Sequence, residues 1–558
     1  MHISVLRRLQ LGSLSLCTLV MWAPGAAAGT LSFCLDAAPE GFDMAQYETS
    51  GTFDAVGVPL YEQLTRIRNE DAQVVPGLAE SWQISPDGRV YTMKLRPGVK
   101  FHSTSWFKPS RDMNADDVLF SFQRMIDKAH PAHAAARNGF IYWAGMGMNE
   151  LVKSVEKIDT MTVRFTLTRP ESPFLASLGV PAIGPILSSE YAERLRVGGR
   201  LEQLNVEPVG TGPFVLKSYQ KDAVLRYTVH PTYWGGAPKL DGMVFAVTTD
   251  GDVAAQRVKA GECLVADVKA ESVPQLAADP ALTVIPNLPL NTVYLAPNNE
   301  HPFTKDQRFR EALLLSLDKP ALIRAGYGGH AAAATSFLPA KMWSLDTNLK
   351  ERHDPDRARQ LVKASGYDGR ELLFFLLNDS ISRRRGEAIQ ADLARIGVKT
   401  VLRPMDLGEL YKRTGQGEHD ITLLSWFSDN GDPDNFFTPN LACAAIAGGG
   451  NKARWCNPAF DKVLNEARIA TDVAQRTALY IRAQRVLYDD VGLIPLVYPE
   501  RFTAVNKRVT GGISGKTGVR GMDLAGIHLR KKGKHNGKYY QCTEDMSSPK
   551  VQCFFSIN

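Results

Sequence analysis

The stretch AIQADLARIGVKTV, residues 388–401, decides the fold class of this chain. Its first part predicts a helix that ends near Gly397, and residues 398–401 follow with the pattern of a short strand. Residues 421–424 predict a further strand. Because helices and strands alternate after residue 290, the sequence predicts an α/β lobe.

The N-terminal half carries strand signals with a helix between them. Residues 31–35, 91–95 and 163–167 read as strands, and Asn114 predicts the cap of the helix that follows it. Near the other end of the chain, the apolar segment 493–498 reads as a buried return strand.

The composition is that of a globular protein with two or three domains. The chain has 558 residues, of which 44% are hydrophobic and 22% charged. Its net charge of +6 comes from Arg7, Arg8 and a basic tail from Arg530 onward, while the body between them is balanced. No basic stripe is present that would neutralise phosphates, so we predict that the protein does not bind nucleic acid.

The N-terminus predicts export from the cytoplasm. Arg7 and Arg8 precede an uncharged apolar run, and small residues follow before Gly29. This order is typical of a cleavable secretory signal peptide covering residues 1–28. A retained N-terminal anchor is the alternative. We therefore expect a periplasmic protein whose mature chain begins at Gly29.

Export changes the interpretation of the cysteines, because an oxidising compartment favours disulfides over metal ligands. Cys17 lies within the predicted signal peptide. The local pair Cys443 and Cys456 flanks a glycine-rich loop, whereas other pairings are open from the spacing alone. The remaining cysteines are Cys34, Cys263, Cys542 and Cys553. No cysteine or histidine cluster has the spacing of a metal site, so we predict no metal.

The sequence carries no convincing enzyme motif. Residues 510–517 nearly match a phosphate-binding loop, but Thr510 stands where the first glycine is required. Neither a G-x-S-x-G elbow nor an H-E-x-x-H motif is present. We predict a protein that is not an enzyme; a secreted hydrolase assembled from scattered side chains is the alternative.

The acidic loop SDNGDPDN, residues 428–435, is the most unusual stretch. It follows an apolar strand that ends in Trp426 and Phe427. Calcium binding is one interpretation, although the spacing of a calcium loop is absent. Capping of a turn or helix by Asp432 and Asp434 is a second. The third is a carboxylate beside an aromatic wall, which would suit the ammonium group of a peptide.

The acidic loop is one of several segments in which the chain resembles the bacterial periplasmic dipeptide- and oligopeptide-binding proteins. These are the extracytoplasmic solute-binding proteins (family 5) of peptide ABC transporters. Residues 106–109 also resemble a sister branch linked to antimicrobial-peptide uptake. The segments that carry the family resemblance are residues 39–42, 49–52, 75–82, 113–118, 210–214, 429–437, 443–445 and 455–456.

The resemblance implies an α/β, two-lobed periplasmic binding protein clamp with mixed sheets and a two-strand hinge near Asn291 and Tyr498. Lobe I would comprise residues 29–290 with a large insertion, completed by a return segment 497–529. Lobe II would comprise residues 291–496. Residues 530–558 form a basic, cysteine-containing tail with no family counterpart.

The resemblance also implies the ligand and its site. We expect capture of di- or short peptides by lobe closure and their delivery to an inner-membrane ABC permease, by a monomer without a cofactor. Haem or antimicrobial peptides are the alternative ligands. Asp429 is expected to bind the peptide ammonium group, with Trp426, Phe427, Ser428 and Thr49 lining the site. The implied disulfides are Cys34–Cys263 and Cys443–Cys456.

The chain departs from the family pattern where the arginine for the peptide carboxylate is expected. An Arg-Pro-Tyr loop is replaced by residues 378–385, which end in the triplet Arg383, Arg384 and Arg385. We favour Arg383 as the carboxylate partner, and solvated arginines near a helix N-terminus are the alternative. The shortening puts strict dipeptide length in doubt.

Overall fold

The computed structural model describes residues 29–68, 73–448, 450–512 and 523–530, together with the backbone of residues 541–543 and 552–554. The predicted signal peptide lies outside these residues. The strands of the described residues are, in chain order, β1 (Thr30–Leu35), β2 (Thr65–Ile67), β3 (Val74–Pro76), β4 (Ala79–Ile84), β5 (Val90–Leu95), β6 (Val152–Asp159), β7 (Thr162–Leu167), β8 (Phe214–Gln220), β9 (Val224–Val229), β10 (Gly242–Val247), β11 (Val265–Val268), β12 (Leu282–Asn287), β13 (Asn291–Pro297), β14 (Ala331–Ala333), β15 (Leu372–Leu377), β16 (Thr400–Met405), β17 (Ile421–Phe427), β18 (Ile494–Pro499), β19 (Arg501–Asn506), β20 (Val509–Thr510), β21 (His528–Leu529), β22 (Gln541–Thr543) and β23 (Gln552–Phe554).

Helices connect these strands, and several begin at the caps that their sequences predict. Asn114 and Asp117 form a capping box at the start of α3. The α-helices of the described residues are α1 (Ser50–Thr52), α2 (Val58–Leu60), α3 (Ala115–Ile126), α4 (Pro131–Ala135), α5 (Ile141–Gly145), α6 (Met148–Leu151), α7 (Phe174–Leu178), α8 (Ser189–Val197), α9 (Gly251–Ala260), α10 (Val273–Ala277), α11 (Gln307–Ser316), α12 (Lys319–Tyr327), α13 (Pro355–Ala364), α14 (Ser380–Arg395), α15 (Leu407–Gly415), α16 (Asp434–Leu441), α17 (Ala444–Ala447), α18 (Pro458–Ile469) and α19 (Val473–Asp490).

Two mixed sheets form the centres of two lobes. The first has the order β12-β19-β11-β1-β10-β9-β8, and the second has the order β14-β18-β13-β17-β15-β16. β1 runs parallel to β10 and β11, and β15 runs parallel to β16 and β17. The strand β15 reads LLFFLL, the continuous apolar run expected of a parallel strand covered on both faces. The predicted α/β class with mixed sheets is confirmed.

The chain passes between the lobes twice. It leaves the first sheet after Asn287 and enters the second at Asn291, then returns between Pro499 and Arg501. We call residues 291–499 lobe II and the rest of the described chain lobe I. The predicted return at residue 497 falls inside β18, which pairs with β13 in the second sheet, so the return comes a few residues later.

A large insertion, residues 36–213, separates β1 from β8 within lobe I. It contains a four-stranded sheet of order β4-β5-β7-β6. One hydrophobic core extends from this insertion to residues of lobe II such as Phe436, whereas Phe374 and Leu393 belong to a second core within lobe II. The insertion therefore packs against both sheets.

Two disulfides are present among the described residues, and they are the pairs that the resemblance implies. Cys34 on β1 is bonded to Cys263, and Cys443 is bonded to Cys456 within lobe II. In the tail, the backbone of Cys542 lies opposite that of Cys553 in the β22–β23 pair.

Candidate functional site

A cavity of about 350 Å³ lies between the two lobes. It is bounded by the ends of strands from both sheets and by the start of α14. Lobe I lines it with side chains that include Asp36, Glu48, Ser50, Asp267 and Lys269, and lobe II with Tyr327, Arg385, Tyr411, Trp426, Phe427 and Asp429. A cavity of this size between two lobes, with charged groups of both signs, suits a small charged ligand.

Asp429 follows the last residues of β17 and lies in a turn that holds it rigidly. The backbone N–H of Ser428 donates to the carbonyl of Leu290 (2.8 Å), and the N–H of Asp429 donates to Oδ1 of Asn435 (2.9 Å). The side-chain Oγ of Ser428 accepts from the N–H of Gly431 (2.8 Å). The buried strand β17 and the turn that follows it thus hold the Asp429 carboxylate at a fixed position at the cavity.

Tyr142 of the insertion completes this arrangement. Its hydroxyl donates to Oδ2 of Asp429 (2.5 Å) and accepts from Nδ2 of Asn435 (2.6 Å). Burial raises the pKa of Tyr142 well above its usual value, and the negative charges of Asp429 and Glu48 raise it further. The tyrosine therefore stays protonated and can orient the carboxylate.

Aromatic rings form one wall of the cavity. Trp426 is 6% exposed and stacks on Tyr142 with ring centroids 6.1 Å apart. The guanidinium of Arg501 lies 5.1 Å from the centroid of the Phe427 ring and forms an ion pair with Asp267 (2.8 Å). A carboxylate beside aromatic faces is an arrangement that can bind an ammonium group.

The structure therefore brings Asp429, Trp426 and Phe427 together at the cavity, whereas two other predicted residues have different roles. Ser428 is buried and holds the turn. Thr49 is 3% exposed and donates to Oε2 of Glu40 (2.6 Å), while its neighbours Glu48 and Ser50 line the cavity. Burial raises the pKa of Glu40, and the hydrogen bond from Thr49 opposes this shift.

The arginine triplet lies within α14, which begins earlier than the sequence predicts because Asp379 caps it. Oδ1 of Asp379 accepts from the N–H groups of Ile381 (2.8 Å) and Ser382 (2.9 Å). The exposed residues Arg383, Glu387, Ala391 and Ala394 are spaced by three and four positions and form the solvent face of the helix.

Arg383, favoured from the sequence, therefore points to solvent and does not line the cavity; its Nη2 donates to Oδ1 of Asn378 (2.6 Å). Arg384 reaches across to Glu271 of lobe I (3.1 Å). Arg385 lines the cavity and stacks on Tyr327, with 3.9 Å between its guanidinium carbon and the ring centroid. Its buried Nε has no hydrogen-bond partner among the described residues. Arg385, not Arg383, is the triplet member at the site.

The other carboxylates of the acidic loop have partners that explain them. Asp432 caps the turn by accepting from the N–H of Asp434 (2.9 Å) and forms an ion pair with Arg476 (2.9 Å). Asp434 is buried near Arg468 (3.7 Å). No group of three metal-ligating side chains occurs in the part of the chain that the structure describes. Over the same residues, no helix is both long enough and apolar enough to cross a membrane.

Several residues of the site were not identified from the sequence. Tyr142, Glu48 and Lys269 are polar residues of lobe I that face or contact lobe II. Their partners lie 111 to 404 positions away in the chain, so no local pattern marks them. Arg385 could have been preferred from the sequence, because a helix that starts after Asp379 places Arg383 on its solvent face.

Comparisons with known proteins agree on one family. The family model described as "Bacterial extracellular solute-binding proteins, family 5 Middle" matches residues 73–448. The chain is 44% identical to the di/tripeptide-binding protein 2 of Pseudomonas aeruginosa over 489 residues, which cover 86% of this chain and 92% of that protein. It is also 37% identical over 504 residues to the heme-binding protein A of Haemophilus influenzae, covering 89% and 92%.

A solved structure has the same fold. The dipeptide binding protein from Pseudoalteromonas sp. SM9913, in complex with Met-Leu, superposes with a TM-score of 0.86 at 32% identity. The match covers 90% of this chain and all of that one.

Proposed function

The chain belongs to family 5 of the bacterial extracellular solute-binding proteins, and we propose that it is the periplasmic peptide-binding component of an ABC transporter. It captures di- or short peptides between its lobes and delivers them to an inner-membrane permease. The observation that carries this proposal is the Asp429 carboxylate, fixed by Tyr142 at an aromatic-lined cavity between the lobes.

Each end of a zwitterionic peptide has a counter-charge at the cavity. Asp429 binds the ammonium group, and Arg385 binds the terminal carboxylate. A buried charge must be paired, because transfer of an unpaired charge out of water is strongly unfavourable. The unused Nε of Arg385 and the rigid turn of Asp429 support these assignments.

Capture requires the lobes to move, and the two crossings between the sheets act as the hinge. The crossings at residues 287–291 and 499–501 lie next to each other, because β13 pairs with β18. Short connections of this kind allow hinge closure of one lobe on the other. Extended peptide backbone is held by main-chain groups, which permits many side chains.

The protein acts by binding and release and is not an enzyme. Its ligand leaves intact, and residues 1–28 direct the chain to the periplasm as a cleaved signal peptide. The two disulfides support an oxidising compartment.

One ligand screen tests the proposal. Thermal-shift measurements on the mature protein with a dipeptide library, haem and single amino acids should show a rise of several °C with dipeptides. Mass analysis should then return the dipeptide intact. Cleaved peptide would indicate a hydrolase, and stabilisation by haem alone would indicate the ligand of the haem-binding relative.

A further inference from the structure

An ion pair that the proposed function does not use bridges the two lobes beside the cavity. Nζ of Lys452 in lobe II lies 2.9 Å from Oε1 of Glu48 in lobe I, and the two side chains are 4% and 6% exposed. The partners are 404 positions apart. Because each lobe supplies one partner, the pair links the two lobes in the arrangement that the structure shows.

The pair lies on the Asp429 side of the cavity. Glu48 itself lines the cavity, and the charges of Glu48 and Asp429 both act on Tyr142. Lys452 is 5.0 Å from the ring centroid of Tyr411, another lining residue. Both side chains of the pair are buried, and Glu48 places the pair at the wall of the cavity.

Each lobe holds its partner in place. Lys452 lies in the loop closed by the Cys443–Cys456 disulfide, and its carbonyl is hydrogen-bonded to Nε2 of His419 (2.9 Å). Nδ2 of the preceding Asn451 donates to the carbonyl of Trp455 (2.8 Å). Glu48 is followed directly by Thr49, whose hydroxyl is bonded to Glu40. These contacts hold the backbone on both sides of the pair in place.

We propose that the Glu48–Lys452 pair is a stop that closes the cavity on its Asp429 side and fixes how far the ligand ammonium group can reach. This inference rests on the proposed function. A ligand whose ammonium group extends further must separate the pair and leave two buried charges without partners, which is strongly unfavourable.

Two ligands that differ by one methylene group test the stop. In β-alanyl-leucine the ammonium group is one carbon further from the peptide bond than in glycyl-leucine. By calorimetry, the wild-type protein should prefer glycyl-leucine by about tenfold or more, the discrimination that one methylene group can give in a closed site. In Glu48→Ala/Lys452→Ala, the preference should fall to about threefold or less.

A second double variant provides the test if Glu48→Ala/Lys452→Ala does not fold. Glu48→Gln/Lys452→Met keeps side chains of similar size but removes the charge attraction between them, so its preference should also fall. The matched control is Lys157→Met, which removes an exposed ion pair with Asp116 (2.8 Å, 37% and 48% exposed) and should leave the preference unchanged.

The outcomes separate this inference from the proposed function. Binding of both dipeptides with an unchanged preference in either folded double variant would overturn the stop and leave the proposed function standing. If the wild-type protein binds neither dipeptide, the proposed function fails and the stop fails with it.

Discussion

The hydroxyl of Tyr142 and the carboxylate of Asp429 share a 2.5 Å hydrogen bond, although the two residues lie 287 positions apart. Tyr142 is carried by α5 of the insertion, and Asp429 by the turn after β17. The bond therefore joins lobe I to lobe II at the cavity. It connects the orientation of the proposed ligand partner to closure of the lobes.

Replacement of Asp429 should remove most of the affinity for dipeptides while the fold is kept. In Asp429→Asn the ligand cation faces a neutral amide, and we expect a loss of about 2–5 kcal/mol in binding free energy. Calorimetry with a free and an N-acetylated dipeptide measures it. The variant should discriminate between the two ligands less than the wild type does. An unchanged affinity would mean that Asp429 serves only its own turn.

Tyr142→Phe should weaken binding less than the loss of the carboxylate does. The variant keeps the ring stacked on Trp426 but removes one hydrogen bond to Asp429 and one from Asn435. We expect a loss of about 1–2 kcal/mol in binding free energy. The same calorimetry on the variant checks it, and a loss as large as that of Asp429→Asn would argue that the hydroxyl itself binds the ligand.

Arg385→Ala should weaken the binding of dipeptides with a free carboxylate, and Arg383→Ala is its matched control. Arg385 lines the cavity, whereas Arg383 is exposed and bonded to Asn378. We expect a loss of about 2–5 kcal/mol for Arg385→Ala and none for Arg383→Ala. C-terminally amidated dipeptides should bind the Arg385 variant about as well as free ones do. Equal losses in both variants would contradict the assignment.

Stability should fall as the pH rises through the range in which Glu171 titrates. Glu171 forms a buried ion pair with Arg468 of lobe II (2.5 Å). Burial raises the pKa of Glu171 from 4.5 to about 7; Arg468 opposes this and Asp434 adds to it. Because the pKa is raised on folding, the stabilisation is present below pH 4.5 and is lost as the pH rises to about 7.

At about 1.4 kcal/mol per pKa unit, the free energy of unfolding should decrease by up to about 3.5 kcal/mol over this interval. Denaturant unfolding of the wild type and of Glu171→Gln at several pH values measures it. The difference between the two proteins should depend on pH, and parallel curves would show that Glu171 does not titrate in this range.

The two disulfides should contribute unequally to stability. Cys443–Cys456 closes a loop with a sequence separation of 13, and Cys34–Cys263 one with a separation of 229. Chain entropy predicts losses of about 3 and about 5 kcal/mol when each pair is replaced by alanine. Denaturant unfolding compares the variants, and peptide mapping without reductant checks the pairing. A bond between Cys443 and Cys542 would refute it.

The parts of the fold that follow from local pattern were predictable. The helix after Asn114 and the strands of both lobes carry their caps and periodicity within a few residues. The start of α14 was not predicted, because its first turns are polar and lack an apolar stripe. Without the phase of the helix, the sequence does not show which arginine of the triplet lies at the cavity.

Sequence periodicity could not predict the contacts between distant segments of the chain. No motif in the sequence surrounds Tyr142, Glu48 or Lys452 and marks it as a residue of the site. Their roles depend on how the insertion packs against lobe II, which is a property of the folded chain and not of any short window.

The strand order of the first sheet has a consequence for the time course of folding. β19 lies between β11 and β12, although residues 501–506 follow the whole of lobe II in the chain. A polypeptide that folds as it emerges, N-terminus first, can form the six-stranded sheet from residues 291–499 before β19 has joined the seven-stranded sheet. Long-range pairing of this kind is slow. Lobe I is therefore synthesised first but completed last. Until β19 joins the sheet, the edges of β11 and β12 that pair with it remain unpaired.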